Sequence, residues 1–174
     1  MFAARLLTWF DTHERPLAWR ESGTTAWGIL LSEVMSHQTP VARVEPVWRE
    51  WMARWPDPAT FTQASPDEVL RAWGKLGYPR RALRLMECAR EIVSLHDGVV
   101  PDDVDKLLAL PGIGDYTARA VACFAYERNV PVVDTNVRRV HRRAVEGRYL
   151  AGTASKSELA AVAELLPADG RGPR

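Results

Sequence analysis

The sequence predicts an all-helical protein. Apolar residues recur at helical spacing along most of the chain, prolines and small polar residues mark the helix starts, and no segment shows the alternation of a strand. With 174 residues, of which 47% are hydrophobic, the chain is long enough to bury a core as one domain or as two small lobes.

The first half of the chain predicts five helices, over residues 3–12, 26–36, 40–55, 66–73 and 80–96. Thr25 and Thr39 are suitable caps for the second and third helices, and Pro40 fits a first turn. Ser65 and Glu68 form a capping-box pattern ahead of the fourth. Residues 15–20 are expected to be extended because Pro16 restricts the preceding residue.

The segment from Leu107 to Arg143 organises the second half of the chain. It predicts a helix, a tight turn over Leu110-Pro111-Gly112-Ile113-Gly114, a second helix, an extended piece and a third helix headed by Asp134. Two glycines around one apolar residue let backbone amides face outward beside a helix N-terminus, as in a phosphate-binding cradle. A Gly-x-Gly pair alone is more often an ordinary turn.

Composition narrows the function classes. No run approaches the roughly 18 apolar residues of a membrane span and the N-terminus is not a signal peptide, so we expect a cytoplasmic protein. The net charge of +1 gives no overall attraction to nucleic acid, but arginines cluster at 80–84 and 138–143. Cys88 and Cys123 lie in apolar helical patterns and are expected to be buried thiols.

Two carboxylates differ in their predicted environments. Glu33 lies within the apolar run 29–35, where poor hydration favours the protonated acid, whereas free amides at a helix start favour ionised Asp134. One proton donor and one anion are what cleavage of a glycosidic bond requires. Taken singly, a helical glutamate is more often a solvent-facing charge and such an aspartate more often only an N-cap.

Several motifs together resemble the adenine DNA glycosylase branch of the helix-hairpin-helix DNA glycosylase superfamily. The resemblance covers about residues 5–165 and rests on segments in the family's order: Leu17–Arg20, Trp27–Thr39, Leu76–Tyr78, Leu110–Ala118 and Val132–Val137. It implies a six-helix lobe over 25–130 that contains the hairpin, and a second, incomplete lobe from 1–24 and 131–174.

The resemblance also implies roles for individual residues. Glu33 would protonate a flipped adenine at N7, and Asp134 would stabilise the sugar cation with support from Tyr116 and Asn136. The adenine pocket would be bordered by Arg15, Leu17, Trp19 and Arg20. DNA contacts would come from Gln38 and Tyr78, which would wedge into the duplex as the adenine leaves the stack, and from Gly112, Ile113, Gly114 and Thr117 at the hairpin.

The resemblance further implies a monofunctional enzyme of base excision repair. The bifunctional relatives have a lysine where this chain has Tyr116, and a phenol cannot form a Schiff base. The substrate would be double-stranded DNA with adenine opposite 8-oxoguanine or guanine, bound by a nucleoid-associated monomer with a monovalent cation on the hairpin carbonyls. Glu33 argues against the thymine-mismatch branch.

The chain departs from the family pattern in two places. His37 stands where the family has a glutamine, and is either a pH-dependent contact or an exposed bystander. The four-cysteine loop that holds a [4Fe-4S] cluster is missing from the sequence, so no cluster is predicted. Three hypotheses stay open: an adenine glycosylase, an inactive DNA-binding remnant or fragment, and a glycosylase of altered base choice.

Overall fold

The computed structural model describes residues 2–150, 155 and 157–166, and within these residues all regular structure is helical. A single 3₁₀ turn spans Ala18–Arg20. The α-helices are α1 Phe2–His13, α2 Ala26–Ser36, α3 Val41–Arg54, α4 Pro58–Thr62, α5 Pro66–Trp73, α6 Arg80–Leu95, α7 Val104–Ala109, α8 Asp115–Tyr126, α9 Thr135–Ala144 and α10 Ser157–Ala163. The all-helical prediction is confirmed.

Helix α2 is the centre of the fold, packed between α3 and α8. Its residues Leu30, Leu31 and Met35 are completely buried, which is why this helix is apolar on nearly every side. Thr25 caps it as predicted, its hydroxyl accepting a hydrogen bond from the Gly28 amide. A residue on α2 that carries a charge is therefore held in a fixed position against the core.

An aromatic cluster joins α3, α4 and α5 beside that core. The Trp51 ring lies 5.1 Å from the Trp55 ring, 5.2 Å from that of Phe61 and 5.6 Å from that of Trp73. Burial of such large rings and their edge-to-face contacts contribute strongly to packing. Phe61 lies on α4, a short helix capped by Asp57 between two of the helices that the sequence predicts.

The helix starts agree with the predicted caps except at one site. Ser65 and Glu68 form the expected capping box at α5. Thr39, however, does not cap α3: the N-cap is Pro40, and the Thr39 hydroxyl instead donates to the Leu76 carbonyl at 3.1 Å. Tertiary contact with a distant turn has replaced a local bond.

Ion pairs connect the last two helices, α9 and α10. Glu158 on α10 is buried and bonds to Arg138 at 2.8 Å and to Arg142 at 3.2 Å, both on α9. Although burial alone would raise the pKa of Glu158, the Ser155 amide and these two arginines lower it. The division into two lobes stays a prediction, and residues 151–154, 156 and 167–174 of the predicted terminal lobe lie outside the described residues.

Candidate active site

A cleft of about 1020 Å³ opens between the segment after α1, helix α2 and helix α8. It is lined by ten residues of chemical interest: Glu14, Arg15, Leu17, Trp19, Arg20, Glu33, Tyr116, Phe124, Tyr126 and Asp134. It therefore brings together three of the four predicted catalytic residues and all four predicted pocket residues, from segments more than 100 residues apart.

Glu33 is the acid in this cleft. Its side chain leaves the buried helix α2 and is itself partly buried. Burial raises the pKa of Glu33 to about 7, with a smaller contribution in the same direction from the charge of Asp134, while a hydrogen bond from Tyr116 and the charge of Arg20 oppose the shift. The carboxyl is therefore about half protonated at neutral pH and can donate a proton there.

Tyr116 is hydrogen-bonded to Glu33 and lies within the electrostatic influence of Asp134. Burial raises its pKa above the usual range, and the charges of Glu33 and Asp134 raise it further. The phenol consequently stays neutral and donates its hydroxyl to the Glu33 carboxyl. None of the described residues that line the cleft is a lysine.

Asp134 is held at the cleft by the start of α9. One carboxylate oxygen, Oδ1, accepts from the Val137 amide at 2.7 Å, and Oδ2 accepts from the Asn136 side-chain amide at 3.1 Å. These two donors and the positive end of the helix stabilise a negative charge that faces the cleft. Asn136 is exposed and contacts Asp134 rather than the cleft itself.

The predicted pocket residues lie where α1 leads into α2. Trp19 is buried, with its ring 5.9 Å from that of Trp48 in an edge-to-face arrangement, while Arg20 lies near Glu14 at 3.7 Å. The extended conformation predicted for this stretch is wrong at Ala18–Arg20. The Arg20 amide donates to the Leu17 carbonyl, and the resulting turn directs Trp19 into the core.

The hairpin between α7 and α8 has the predicted turn, with unequal roles for its two glycines. Gly112 has φ +77°, and a Cβ there would lie 2.9 Å from the Arg84 Cβ, so only glycine fits without movement. Gly114 is the N-cap of α8 with an ordinary φ of −92°, and a Cβ there would meet nothing within 4 Å. No side chain caps α8, which leaves its first amides free for an anion.

Two of the residues predicted to contact DNA at the hairpin have buried side chains. The Ile113 side chain is buried, and its amide donates to the Leu110 carbonyl at 3.2 Å within the turn; its contact with DNA stays a prediction. The Thr117 side chain is also buried, and its hydroxyl is 3.2 Å from Nε2 of His37. Only the backbone of Thr117 remains available to a phosphate.

Gln38 and Tyr78 do not line the cleft. Both are exposed, and 64% of Tyr78 is accessible to solvent. His37, next to Gln38, is hydrogen-bonded to the Thr117 hydroxyl and has its ring 6.3 Å from that of Tyr116. Burial, with a contribution from the charge of Arg81, lowers the pKa of His37.

Sequence reasoning missed part of the cleft wall. Phe124 and Tyr126, near the C-terminal end of α8, also line the cleft. Phe124 is eight residues after Tyr116, about two helical turns along the same face, and this spacing could have identified it.

The residues present do not fit an iron–sulfur cluster. The sequence contains two cysteines, Cys88 and Cys123, both buried, and burial raises the pKa of these thiols to about 12 and about 11. Two thiols cannot provide four thiolate ligands. Among the described residues there is no group of three or more histidine, cysteine or acidic side chains placed to hold a metal ion, and no helix long and apolar enough to cross a membrane.

Comparison with known proteins identifies the family. The model of the HhH-GPD superfamily of base excision DNA repair proteins matches residues 31–163. The chain belongs to this superfamily. The helix-hairpin-helix fold class expected from the sequence is thus confirmed, and the hairpin and Asp134 both lie within the matched region.

Individual relatives refine this placement. An adenine DNA glycosylase of Mycolicibacterium smegmatis is 62% identical over 168 residues, which are 97% of this chain and 57% of that relative. A human adenine DNA glycosylase is 40% identical over 147 residues, 80% of this chain and 27% of that protein. The solved structure of a thermostable thymine-DNA glycosylase matches 95% of this chain and 77% of its own with a TM-score of 0.87 and 26% identity.

These relatives confirm the resemblance to the adenine DNA glycosylase branch. The chain spans a little over half the length of the mycobacterial relative and about a quarter of the human one. The part that the superfamily model matches contains Glu33, Tyr116 and Asp134 of the cleft, the hairpin, and both turns that bear Gln38 and Tyr78.

Proposed function

We propose that this chain is a monofunctional DNA glycosylase that hydrolyses the N-glycosidic bond of adenine mispaired with 8-oxoguanine or guanine in double-stranded DNA. The observation that carries the proposal is the shared cleft, where a carboxyl with a pKa of about 7 and a helix-capping carboxylate face the same space. The 62% identity to an adenine DNA glycosylase supports adenine as the base.

The proposed reaction uses both carboxyl groups. Protonated Glu33 gives its proton to N7 of the extruded adenine, the bond between C1′ and N9 breaks, and the electron pair of that bond stays on the base. Ionised Asp134 stabilises the positive charge that develops on the sugar. Water then adds to C1′ and gives its proton to the Glu33 carboxylate, which restores the acid. The products are adenine and an abasic site.

Tyr116 accounts for the absence of a lyase step in the proposal. A neutral phenol hydrogen-bonded to Glu33 has no amine with which to attack C1′, so no Schiff base forms. Trapping with borohydride therefore yields no covalent complex at the level of a bifunctional enzyme. Strong trapping that a substitution of Lys75 or Lys106 abolishes would contradict this part of the proposal.

The hairpin is the proposed phosphate contact. Gly112 and Gly114 bring the backbone close to solvent, and the uncapped start of α8 presents amides and the positive end of a dipole. The monovalent cation at this hairpin, the monomeric state and the nucleoid-associated location remain predictions. Such phosphate contacts make affinity fall as salt concentration rises.

A single-turnover assay tests the proposal. A duplex with adenine opposite 8-oxoguanine is incubated with excess wild-type protein, Glu33→Gln or Asp134→Asn, and free adenine is measured. We expect release by the wild type and a loss of at least about 100-fold in each variant, since a positioned acid or a charge stabiliser contributes about that much.

The outcomes of this assay separate the three hypotheses. Binding of the duplex without release of adenine would identify an inactive remnant or fragment. Release of thymine from a G:T duplex instead of adenine would establish an altered base choice. The likeness to a thermostable thymine-DNA glycosylase makes thymine the second base to test.

A further inference from the structure

The turns that bear Gln38 and Tyr78 share an unusual backbone conformation. Gln38, between α2 and α3, has φ 54°, and Tyr78, between α5 and α6, has φ 49°. Residues other than glycine rarely adopt this left-handed region, and keep it only where the surrounding structure holds them there. Each turn therefore needs a support.

Arg81, in the first turn of α6, contacts both turns. Its Nη1 donates to the carbonyls of Val34 (2.8 Å), Met35 (3.2 Å) and His37 (2.8 Å). Its Nη2 donates to the Thr39 hydroxyl (3.1 Å) and to the carbonyls of Leu76 (3.2 Å) and Gly77 (3.1 Å). One guanidinium thus binds carbonyls at the C-terminal end of α2, groups before and after Gln38, and the two carbonyls that precede Tyr78.

Two further contacts complete this connection. The guanidinium carbon of Arg81 lies 5.6 Å from the centre of the Tyr78 ring, within the range of a cation–π contact. The Thr39 hydroxyl, which accepts from Arg81, donates to the Leu76 carbonyl at 3.1 Å and so joins the two turns directly. Breaking the Arg81 contacts would leave carbonyls of both turns without these donors.

We propose that Arg81 is a positioning residue that holds the Gln38 turn and the Tyr78 turn as one unit, so that both side chains enter the duplex together. The proposal rests on the proposed function, in which these two side chains occupy the space left by the extruded adenine. The planar fork of an arginine suits this task because it directs donors to two sides at once, whereas lysine offers a single compact charge.

The coupling is testable without DNA. The amides of Thr39 and Leu76 are hydrogen-bonded within their turns, to Ser36 and Trp73, and can report on each turn by hydrogen exchange. We expect both to exchange at least about tenfold faster in Arg81→Lys and Arg81→Met, the change that loss of one charge-assisted hydrogen bond produces. Exchange of the central α2 amides serves as the internal reference for global opening.

Arg43 provides a matched control. It lies on α3, and its guanidinium donates to the carbonyl of Lys75, in the Tyr78 turn. It therefore supports that turn without the bonds that Arg81 makes to the Gln38 turn. Arg43→Met should accelerate exchange at Leu76 and leave Thr39 unchanged. The proposal is overturned if the Arg81 variants loosen one turn alone, or neither, while the α2 reference is unchanged. Should Arg81→Met fail to fold, Arg81→Lys decides.

A second readout concerns base extrusion. A duplex with 2-aminopurine opposite 8-oxoguanine becomes more fluorescent when that base leaves the stack. We expect Arg81→Lys to reduce the extruded fraction about tenfold at saturating protein, with duplex affinity within about threefold of wild type because the hairpin is intact. Equal extrusion by Arg81→Lys and wild type would overturn the positioning role.

The failure of the proposed function would look different. If the wild type itself neither extrudes the probe nor releases adenine, the proposed function fails, and the exchange experiment alone then decides whether Arg81 couples the turns. If the wild type is active and both turns stay protected in Arg81→Lys, the positioning role fails and the proposed function stands.

Discussion

Replacement of Glu33 by glutamine should stabilise the protein at alkaline pH while it abolishes adenine release. Folding places the Glu33 carboxyl in a cleft where burial raises its pKa from 4.5 to about 7. Between these two values the unfolded chain loses the proton and the folded chain keeps it. Stability is therefore greatest below about pH 4.5, falls as the pH rises, and stops falling above about pH 7.

The size of the change in unfolding free energy follows from the pKa shift of Glu33. A rise of about 2.5 pKa units corresponds to about 3.4 kcal/mol, of which about 2.5 kcal/mol develops between pH 5 and pH 8. Because the carboxyl faces a cleft that water can enter, about 2 kcal/mol is a more realistic value. For a domain of this length, that is about 4–8 °C in melting temperature.

Glutamine is the suitable replacement because it has the same shape without the charge. Its carbonyl oxygen can still accept the hydrogen bond from Tyr116, so the variant removes only the ionisation. Thermal unfolding of both proteins is measured between pH 5 and pH 8. Glu50→Gln, on the exposed side of α3, is the control, since surface changes alter stability by about 0.5 kcal/mol or less.

The reasoning would be refuted by a constant difference between Glu33→Gln and wild type across this pH range. A constant difference would mean that Glu33 has the same pKa in the folded and the unfolded chain, and that it cannot be a proton donor at neutral pH. A variant as active as the wild type would refute the catalytic role even if the stability curve had the expected shape.

Three further predictions follow from the same geometry. Tyr116→Phe removes a hydrogen bond that lowers the pKa of Glu33. The alkaline limb of the pH–rate profile should therefore move up by about one pH unit. A move to lower pH would contradict the role of Glu33 as the proton donor. Gly112→Ala should cost about 1–2 kcal/mol of unfolding free energy because of its left-handed φ. Gly114→Ala, the matched control, should cost less than about 1 kcal/mol. Equal losses would contradict the left-handed turn at Gly112. Ser65→Ala breaks the capping box and should lower the unfolding free energy by about 1 kcal/mol with unchanged adenine release.

Much of the fold could be predicted from local sequence patterns because it depends on local physics. The apolar spacing in α2, the hydroxyl of Thr25 and the capping box of Ser65 each act within four residues of their own position. The same is true of Asp134 as an N-cap. Where a distant group competes, local reasoning failed: Thr39 bonds to Leu76 instead of capping α3.

Burial distinguishes the predicted site residues whose side chains reach the cleft from those whose side chains do not. Residue type and order placed Glu33, Tyr116 and Asp134 together through a family resemblance, and the cleft contains all three. Ile113 and Thr117 belong to the same motif, yet their side chains face the interior. A motif specifies which residues occur, whereas the packing of α8 against α2 decides which of their atoms reach solvent.

The sequence by itself therefore determined the helical class, most of the predicted helix caps, the hairpin and the family, because each is encoded by neighbours along the chain or by motif order. Only the tertiary structure decided how the cleft closes around Glu33, why its proton is held near neutral pH, and how Arg81 joins two turns 40 residues apart. These properties depend on burial and on contacts across the fold, and neither quantity exists until the chain has folded.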